Sequence, residues 1–241
     1  MSWPVTTFYC TKCDFKQGDL VAWGAREYVL SHGIRIQVCS RLGWCEDCRG
    51  LAAVEDLSQE SRRADLEEAT RELIALQFRP VRRWWELQWF ILAGLWRRKV
   101  ETWNCCAGKV DDAKDALNLI ASRKTPPRCL ACGSNRVTAP LVTDTSEWRN
   151  TNQPKRTGFL HPGCGGEMWM IEDGFRIALK PSIRRYTPEG DSIEQEDVDG
   201  YGHPDASYYD DRAAENVRIR GTTIPPIAGP DLEAWIRERT D

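Results

Sequence analysis

The sequence predicts an α+β protein in which two small β modules are joined by an antiparallel helical hairpin and followed by an acidic tail. Residues 1–54 and 125–186 combine paired cysteines with short β-type runs, residues 55–124 show helical periodicity, and residues 187–241 are acidic. These four ranges are the predicted domains. With 241 residues, of which 41% are hydrophobic, the chain is long enough to bury a core.

Charge and cysteine spacing limit the class of protein. The net charge is −3, but residues 125–186 carry +4 (nine basic against five acidic) and residues 187–241 carry −9 (five against fourteen). The N-terminus has no basic start followed by an apolar run, so we expect a cytoplasmic protein. Of the ten cysteines, six form Cys-x-x-Cys pairs and one more belongs to His-x-x-Cys, a spacing that indicates metal in a reducing compartment.

The first module contains two such pairs, and they predict one metal site within residues 1–54. The pairs are Cys10 with Cys13 and Cys45 with Cys48, 31 residues apart. Short β-branched and aromatic runs at 19–23, 27–30 and 34–38 predict a small antiparallel sheet between them. A dithiol redox role is the alternative, but neither pair opens a helix after a buried strand. Iron is the alternative metal.

The middle of the chain has the period of amphipathic helices. The two apolar stripes are Leu66, Ala69, Leu73 and Leu76, then Val110, Ala113, Leu117 and Ile120. They predict two helices packed as a hairpin. The vicinal pair Cys105-Cys106, followed by Ala-Gly, predicts a turn into the second helix and a structural role for both thiols.

Between these helices lies a Trp-rich segment, residues 82–103, whose tryptophans are candidates for binding a partner. They are Trp84, Trp85, Trp89, Trp96 and Trp103. Its near-uninterrupted apolar run of ten residues, Leu87 to Trp96, is too short for a transmembrane helix, which needs about 20. Three interpretations stay open: a helix that completes the core, a protein-docking surface, or a helix lying in a membrane interface.

The second module contains the most specific motif of the chain, Cys129-x-x-Cys132-Gly followed by His161-x-x-Cys164-Gly. Three sulfurs and one imidazole complete a tetrahedral shell, which leaves no open position for water or substrate. This set therefore predicts a structural zinc site within residues 125–186. A strand from Arg136 and a hairpin around Glu172-Asp173-Gly174 are also predicted.

Each Cys-x-x-Cys pair, and likewise His161-x-x-Cys164, resembles a knuckle of the broad zinc-ribbon class, that is, two ligands with the turn between them. The resemblance covers residues 8–50 and 127–180 and implies two structural Zn²⁺ ions. The implied ligands are Cys10, Cys13, Cys45, Cys48, Cys129, Cys132, His161 and Cys164. The class carries no single activity, so the resemblance implies metal and fold only.

Two functions remain in view. The first is a non-enzymatic two-zinc scaffold or adaptor that binds another protein through the Trp-rich segment or a ribbon face. The second is a nucleic-acid-binding protein that uses the basic second module and is regulated by the acidic tail. The candidate contacts for nucleic acid, and equally for the tail, are Arg128, Arg136, Lys155, Arg156, Arg184 and Arg185. No catalytic motif is recognised, which favours a protein that is not an enzyme.

Overall fold

The computed structural model describes residues 3–77, 95–138, 153–177, 182–197 and 206–221. The strands are β1 Trp3–Cys10, β2 Lys16–Gly18, β3 Ala25–Val29, β4 Arg35–Gln37, β5 Ser40–Cys45, β6 Gly50–Glu55, β7 Val137–Thr138, β8 Lys155–Leu160, β9 Glu167–Ile177, β10 Ser182–Tyr186 and β11 Ser192–Asp197. The helices are α1 Gln59–Gln77, α2 Leu95–Ser122 and α3 Ala206–Arg220. None of the helices in the described ranges is both long and apolar enough to span a membrane.

The chain forms two compact units, each assembled from distant parts of the sequence. The first contains residues 1–28, 38–57 and 124–204, and is built mainly from strands. The second contains residues 29–37, 58–123 and 205–241, and is built mainly from helices. The first unit therefore mixes the two β modules that the sequence presents as separate.

The largest sheet of the first unit has the strand order β2-β1-β9-β8, with antiparallel neighbours. One face packs into an apolar cluster, where Phe8 and Cys10 of β1 lie opposite Met170 and Met168 of β9. The sequence predicted that β9 would be interrupted by a hairpin at Asp173-Gly174, and this is wrong. The strand continues because β1 pairs along it, and a register shift between Pro4 and Val5 absorbs the extra residues.

Two further groups of strands belong to the described part of the first unit. In one, β5 lies between β6 and β7, and both contacts are antiparallel. In the other, β10 pairs antiparallel with β11 and parallel with β3. The small antiparallel sheet expected within residues 19–38 is wrong for its first run, because residues 19–22 form a short 3-10 helix, and β3 pairs parallel with β10.

In the second unit, helices α1 and α2 pack through an apolar cluster. Its buried members are Ala69, Leu73, Trp103, Cys106, Ala107 and Val110. The predicted periodicity of both helices is thus used for burial, although residues 78–94 between them lie outside the described residues. Cys105-Cys106 lies inside α2 and makes no turn. Helix α3 also packs on α2, close enough that a Cβ on Gly108 would collide with the backbone of Ala213.

A buried group of charges joins α2 to α3 within this unit. Asp112 accepts hydrogen bonds from Asn216 and Arg220, each 2.9 Å long, and forms an ion pair with Arg212 at 3.7 Å. Arg220 also donates to Asp115 at 2.6 Å. Burial lowers the pKa of Arg220, but its hydrogen bonds to the two carboxylates outweigh burial and leave the pKa raised. The guanidinium therefore stays charged and depends on its carboxylates.

Candidate metal centres

The structure brings all eight predicted ligands together, but in a different grouping from the predicted one. The mixed site consists of Cys10, Cys13, His161 and Cys164, and the all-cysteine site consists of Cys45, Cys48, Cys129 and Cys132. In each set, the ligand atoms lie within 4.8 Å of one another. The prediction of one site within residues 1–54 and another within residues 125–186 is therefore corrected: each site takes one knuckle from each module.

Strand pairing explains this exchange. β1 leads into the knuckle of Cys10 and pairs with β9, which leaves the knuckle of Cys164. In the same way, β5 leads into the knuckle of Cys45 and pairs with β7, which follows the knuckle of Cys132. Backbone hydrogen bonds of 3.0 Å fix both arrangements, from Thr11 N to Glu167 O and from Glu46 N to Arg136 O. Each site thus closes the end of a strand pair.

The distances between ligand atoms match a tetrahedral metal. A zinc ion bound to thiolates at about 2.3 Å separates their sulfurs by about 3.8 Å, whereas a disulfide would bring them to about 2 Å. In the all-cysteine site, Sγ of Cys45 lies 3.6 Å from that of Cys132, and Sγ of Cys48 lies 3.8 Å from that of Cys129. All ten cysteines lie within the described residues, and none of them forms a disulfide. The donor set and spacing therefore fit a metal ion.

The mixed site has the same dimensions. Sγ of Cys164 lies 3.4 Å from that of Cys10 and 3.5 Å from that of Cys13. The imidazole faces the set through Nδ1, which lies 3.3 Å from Sγ of Cys13 and 3.2 Å from Sγ of Cys164. Phe15 stacks on the ring at 4.8 Å and Trp44 meets it edge-on at 4.9 Å. His161 is therefore held in the orientation that directs Nδ1 to the sulfurs.

The backbone of the knuckles is turned toward the sulfurs. Lys12 N donates to Sγ of Cys10 and Gly166 N to Sγ of Cys164, both at 3.4 Å. The residue after the second ligand has a positive φ in three knuckles: 75° at Gly133, 67° at Gly165 and 51° at Arg49. Glycine adopts this conformation without strain, whereas Arg49 adopts it at a cost.

The thiols influence one another's ionisation. Burial raises the pKa of Cys10, but backbone N–H donation from Lys12 and hydrogen bonds from neighbouring thiols outweigh it and leave the pKa lowered. Cys132 follows the same pattern, with Ser134 as the first backbone donor. The pKa of Cys129 is instead raised to about 11, first by burial. Adjacent thiols resist ionising together, and a divalent cation removes that resistance because it attracts every thiolate.

The all-cysteine site is anchored on one side and open on the other. Cys45 and Cys129 are buried, whereas Cys48 and Cys132 are exposed. Leu130 N donates to Ala53 O at 2.8 Å, and Leu130 O accepts from the hydroxyl of Tyr186 at 2.8 Å. These bonds attach the knuckle of Cys129 to β6 and β10, so the buried ligands keep their positions on the sheets.

The six predicted nucleic-acid contacts are distributed over the first unit, and most of the corresponding charges are paired. Arg128 pairs with Asp191, Arg136 with Asp47, Arg156 with Glu167 at 3.6 Å, and Arg185 with buried Glu27 at 3.7 Å. Lys155 and Arg184 lie on β8 and β10, with Arg184 opposite Gln195. Pairing of Arg128 with Asp191 agrees with the predicted attraction between the basic module and the acidic range.

The acidic range contains more regular structure than its composition suggests. It provides β11, which pairs with β10, and helix α3, which packs on α2. The sequence also predicts a short helix over residues 231–239, which lie outside the described residues. Of the predicted partner-binding tryptophans, Trp103 is buried in the helical core, and the side chains of the other four also lie outside the described residues.

Comparisons with protein-family models, with curated proteins and with solved structures found no match for this chain. The two ligand sets are therefore the strongest indication of what the protein does.

Proposed function

We propose that the protein is a non-enzymatic scaffold or adaptor, cytoplasmic, held together by two structural Zn²⁺ ions and able to bind another protein. The observation that carries this proposal is that each ligand set has four members and draws them from segments more than 80 residues apart. A metal at each place would tie the N-terminal strands of the first unit to its later strands.

Zinc fits both sets better than other metals. Thiolate and imidazole ligands in a tetrahedral arrangement are typical of structural zinc, whereas magnesium and calcium prefer oxygen. Iron is the alternative for the all-cysteine site, because four thiolates also hold iron. Elemental analysis of protein prepared without chelator should give two zinc ions per chain, and a red, iron-containing preparation would contradict zinc at that site.

A structural role follows from the number of ligands. With four protein ligands, neither ion keeps a position for water or substrate, so neither would act as a Lewis acid in a reaction. Such an ion contributes folding free energy, and the strands around it present surfaces to other molecules. This favours a binding role over catalysis for the first unit.

The Trp-rich segment supports a protein partner. Because Trp103 belongs to the helical core, the candidate contacts are Trp84, Trp85, Trp89 and Trp96, and clustered tryptophans are enriched in protein interfaces. The test compares Trp85→Asp and Trp96→Asp with Trp103→Asp by circular dichroism and by cross-linking to a purified partner. An interface predicts folded Trp85 and Trp96 variants that lose the partner, and an unfolded Trp103 variant. Unfolding of all three would assign the whole segment to the core.

A further inference from the structure

Four side chains form a row across the large sheet of the first unit. In strand order they are Lys16 on β2, Tyr9 on β1, Trp169 on β9 and Arg156 on β8. The register pairs Tyr9 directly with both Lys16 and Trp169, and pairs Trp169 with Arg156. Residues directly opposite each other in antiparallel strands project from the same face of a sheet, so the four side chains are neighbours.

This row lies on the face that points away from the core. The neighbouring residues in sequence, Phe8 and Cys10 on β1 and Met168 and Met170 on β9, are buried in the apolar cluster on the other face. Tyr9 and Trp169 are partly exposed, Lys16 is exposed, and the side chain of Arg156 is 68% exposed.

The borders of the exposed patch can be located from the next rows. On one side, Thr7 lies opposite Ile171 and is buried, so the patch ends there. On the other side, Leu160 lies opposite Glu167 and is 61% exposed, which extends the patch with an apolar side chain. The accessible surface therefore consists of two aromatic rings and a leucine, with a cation at each end of the aromatic row and the carboxylate of Glu167, 36% exposed, beside Trp169.

Contacts hold the indole of Trp169 in a defined orientation. Its Nε1 donates a hydrogen bond of 3.1 Å to Glu167, and the guanidinium of Arg156 lies 5.3 Å from the ring centroid. Glu167 also lies 3.6 Å from Arg156, so this carboxylate is engaged by both neighbours. A ring positioned in this way can accept a planar partner with little loss of side-chain entropy.

We infer that this row binds single-stranded nucleic acid, with bases stacked on Tyr9 and Trp169 and phosphates near Lys16 and Arg156. Aromatic rings on a sheet, flanked by cations, provide the two interactions that single strands offer: exposed base faces and backbone charge. The exposed ammonium of Lys12, which donates to Cys164 O at 3.0 Å, adds positive charge near the mixed site. A duplex is a poorer fit because its bases are already stacked on one another.

The inference extends the proposed function and rests on one part of it, the metal in the mixed site. Tyr9 directly precedes the ligand Cys10, and β9 with Trp169 begins three residues after the ligand Cys164. Loss of that metal should therefore disorder the row. The inference does not depend on a protein partner for the Trp-rich segment.

The test is a titration of the full-length, zinc-loaded protein with a fluorescently labelled single strand of about 12 nucleotides, and with the matching duplex. We expect the single strand to bind more tightly than the duplex, with binding weakened between about 50 and 200 mM salt. Trp169→Ala and Tyr9→Ala should each lower affinity about tenfold, and Trp169→Phe should keep most of it. Lys16→Ala with Arg156→Ala should reduce the salt dependence, because two phosphate contacts are lost.

Arg128→Ala and Arg136→Ala are the matched controls, since both residues are basic and belong to the same unit but lie outside the row. Both should bind the single strand within about twofold of the unaltered protein, because neither residue belongs to the row that contacts the strand. If these two variants lose binding while Trp169→Ala keeps it, the single strand does not bind at the row. It then binds at the basic residues predicted from sequence.

Zinc content measured on every sample separates the two proposals. If protein with two zinc ions binds neither the single strand nor the duplex, or binds both equally well, the proposed single-strand site is wrong. The scaffold proposal is then unaffected. Binding of a protein that Trp169→Ala abolishes, without oligonucleotide binding, would replace nucleic acid with a protein partner. Protein without zinc would contradict the scaffold proposal itself.

Discussion

The two units of this chain are stabilised by different interactions. The first unit brings distant strands together and has one candidate metal site at the end of each of two strand pairs. The second packs helices around Leu73 and Val110 and buries the charges of Asp112 and its arginines. The same chain therefore contains one unit that is expected to depend on metal and one that is expected to fold without it.

Removal of metal should produce the largest difference between the units. Structural zinc in small modules contributes roughly 10–16 kcal/mol of apparent binding free energy, about as much as the stability of a whole domain. A strong chelator should therefore expose the amides of β1, β5 and β9 to hydrogen exchange while α1 and α2 stay protected. Restoring zinc should restore this protection. Equal loss of amide protection in both units would show that the second unit also depends on metal.

Asp112→Ala should instead destabilise the second unit and leave the metal sites of the first unit unchanged. Because the change leaves Arg212 and Arg220 buried without this carboxylate, unfolding of the second unit should become easier by about 3–5 kcal/mol. Denaturant unfolding followed by helical circular dichroism measures the loss, and zinc content should stay at the unaltered value. Glu215→Ala is the control: its ion pair with Arg218 is exposed and is worth about 0–1 kcal/mol.

One extra methyl group can be placed in each unit. In Gly166→Ala the new Cβ would lie 2.5 Å from Sγ of Cys10, so we expect weaker metal binding in the mixed site. In Gly108→Ala it would meet the backbone of Ala213 and separate α2 from α3, at a cost of about 1–3 kcal/mol without loss of zinc. Zinc titration and thermal unfolding of both variants measure the two effects. Identical behaviour would show that Gly166 does not constrain the metal site.

The smallest effect is a stabilisation at the all-cysteine site. Arg49 has a φ of 51°, so Arg49→Gly should relieve backbone strain and make the first unit about 0.5–1 kcal/mol more stable. Gly133→Ala is the converse change: φ is 75° and a Cβ would contact nothing, so the expected loss of about 1 kcal/mol comes from strain alone. Thermal unfolding that shifts in the same direction for both variants would contradict this account.

Much of the local structure could be predicted from sequence, because ligand spacing and helical period are local signals. Spacing predicted His161 as a metal ligand, and the structure places it in a candidate ligand set, while periodicity predicted the burial of Leu73 and Val110. Which knuckles share a metal site could not be predicted from spacing or periodicity. It depends on β1 pairing with β9 across more than 150 residues, and nothing in the spacing of Cys10 and Cys13 indicates that partner.

Tertiary context also overrode two turn signals. Asp173-Gly174 is a strong hairpin signal, yet β1 supplies a partner on both sides and the strand continues. Gly108, after the vicinal cysteines, suggests a turn, but within α2 it allows α3 to approach. The row of Tyr9 and Trp169 was missed for the same reason as the grouping, since it exists only in the register between strands.

The zinc content of two double variants tests whether each site takes one knuckle from each module. In Cys10→Ala with Cys45→Ala, each observed site loses a ligand, so the chain should bind no zinc tightly. In Cys45→Ala with Cys129→Ala, both losses fall in the all-cysteine site, so the mixed site should keep one zinc. Sites confined to residues 1–54 and 125–186 would give the reverse: one zinc in the first double variant and none in the second.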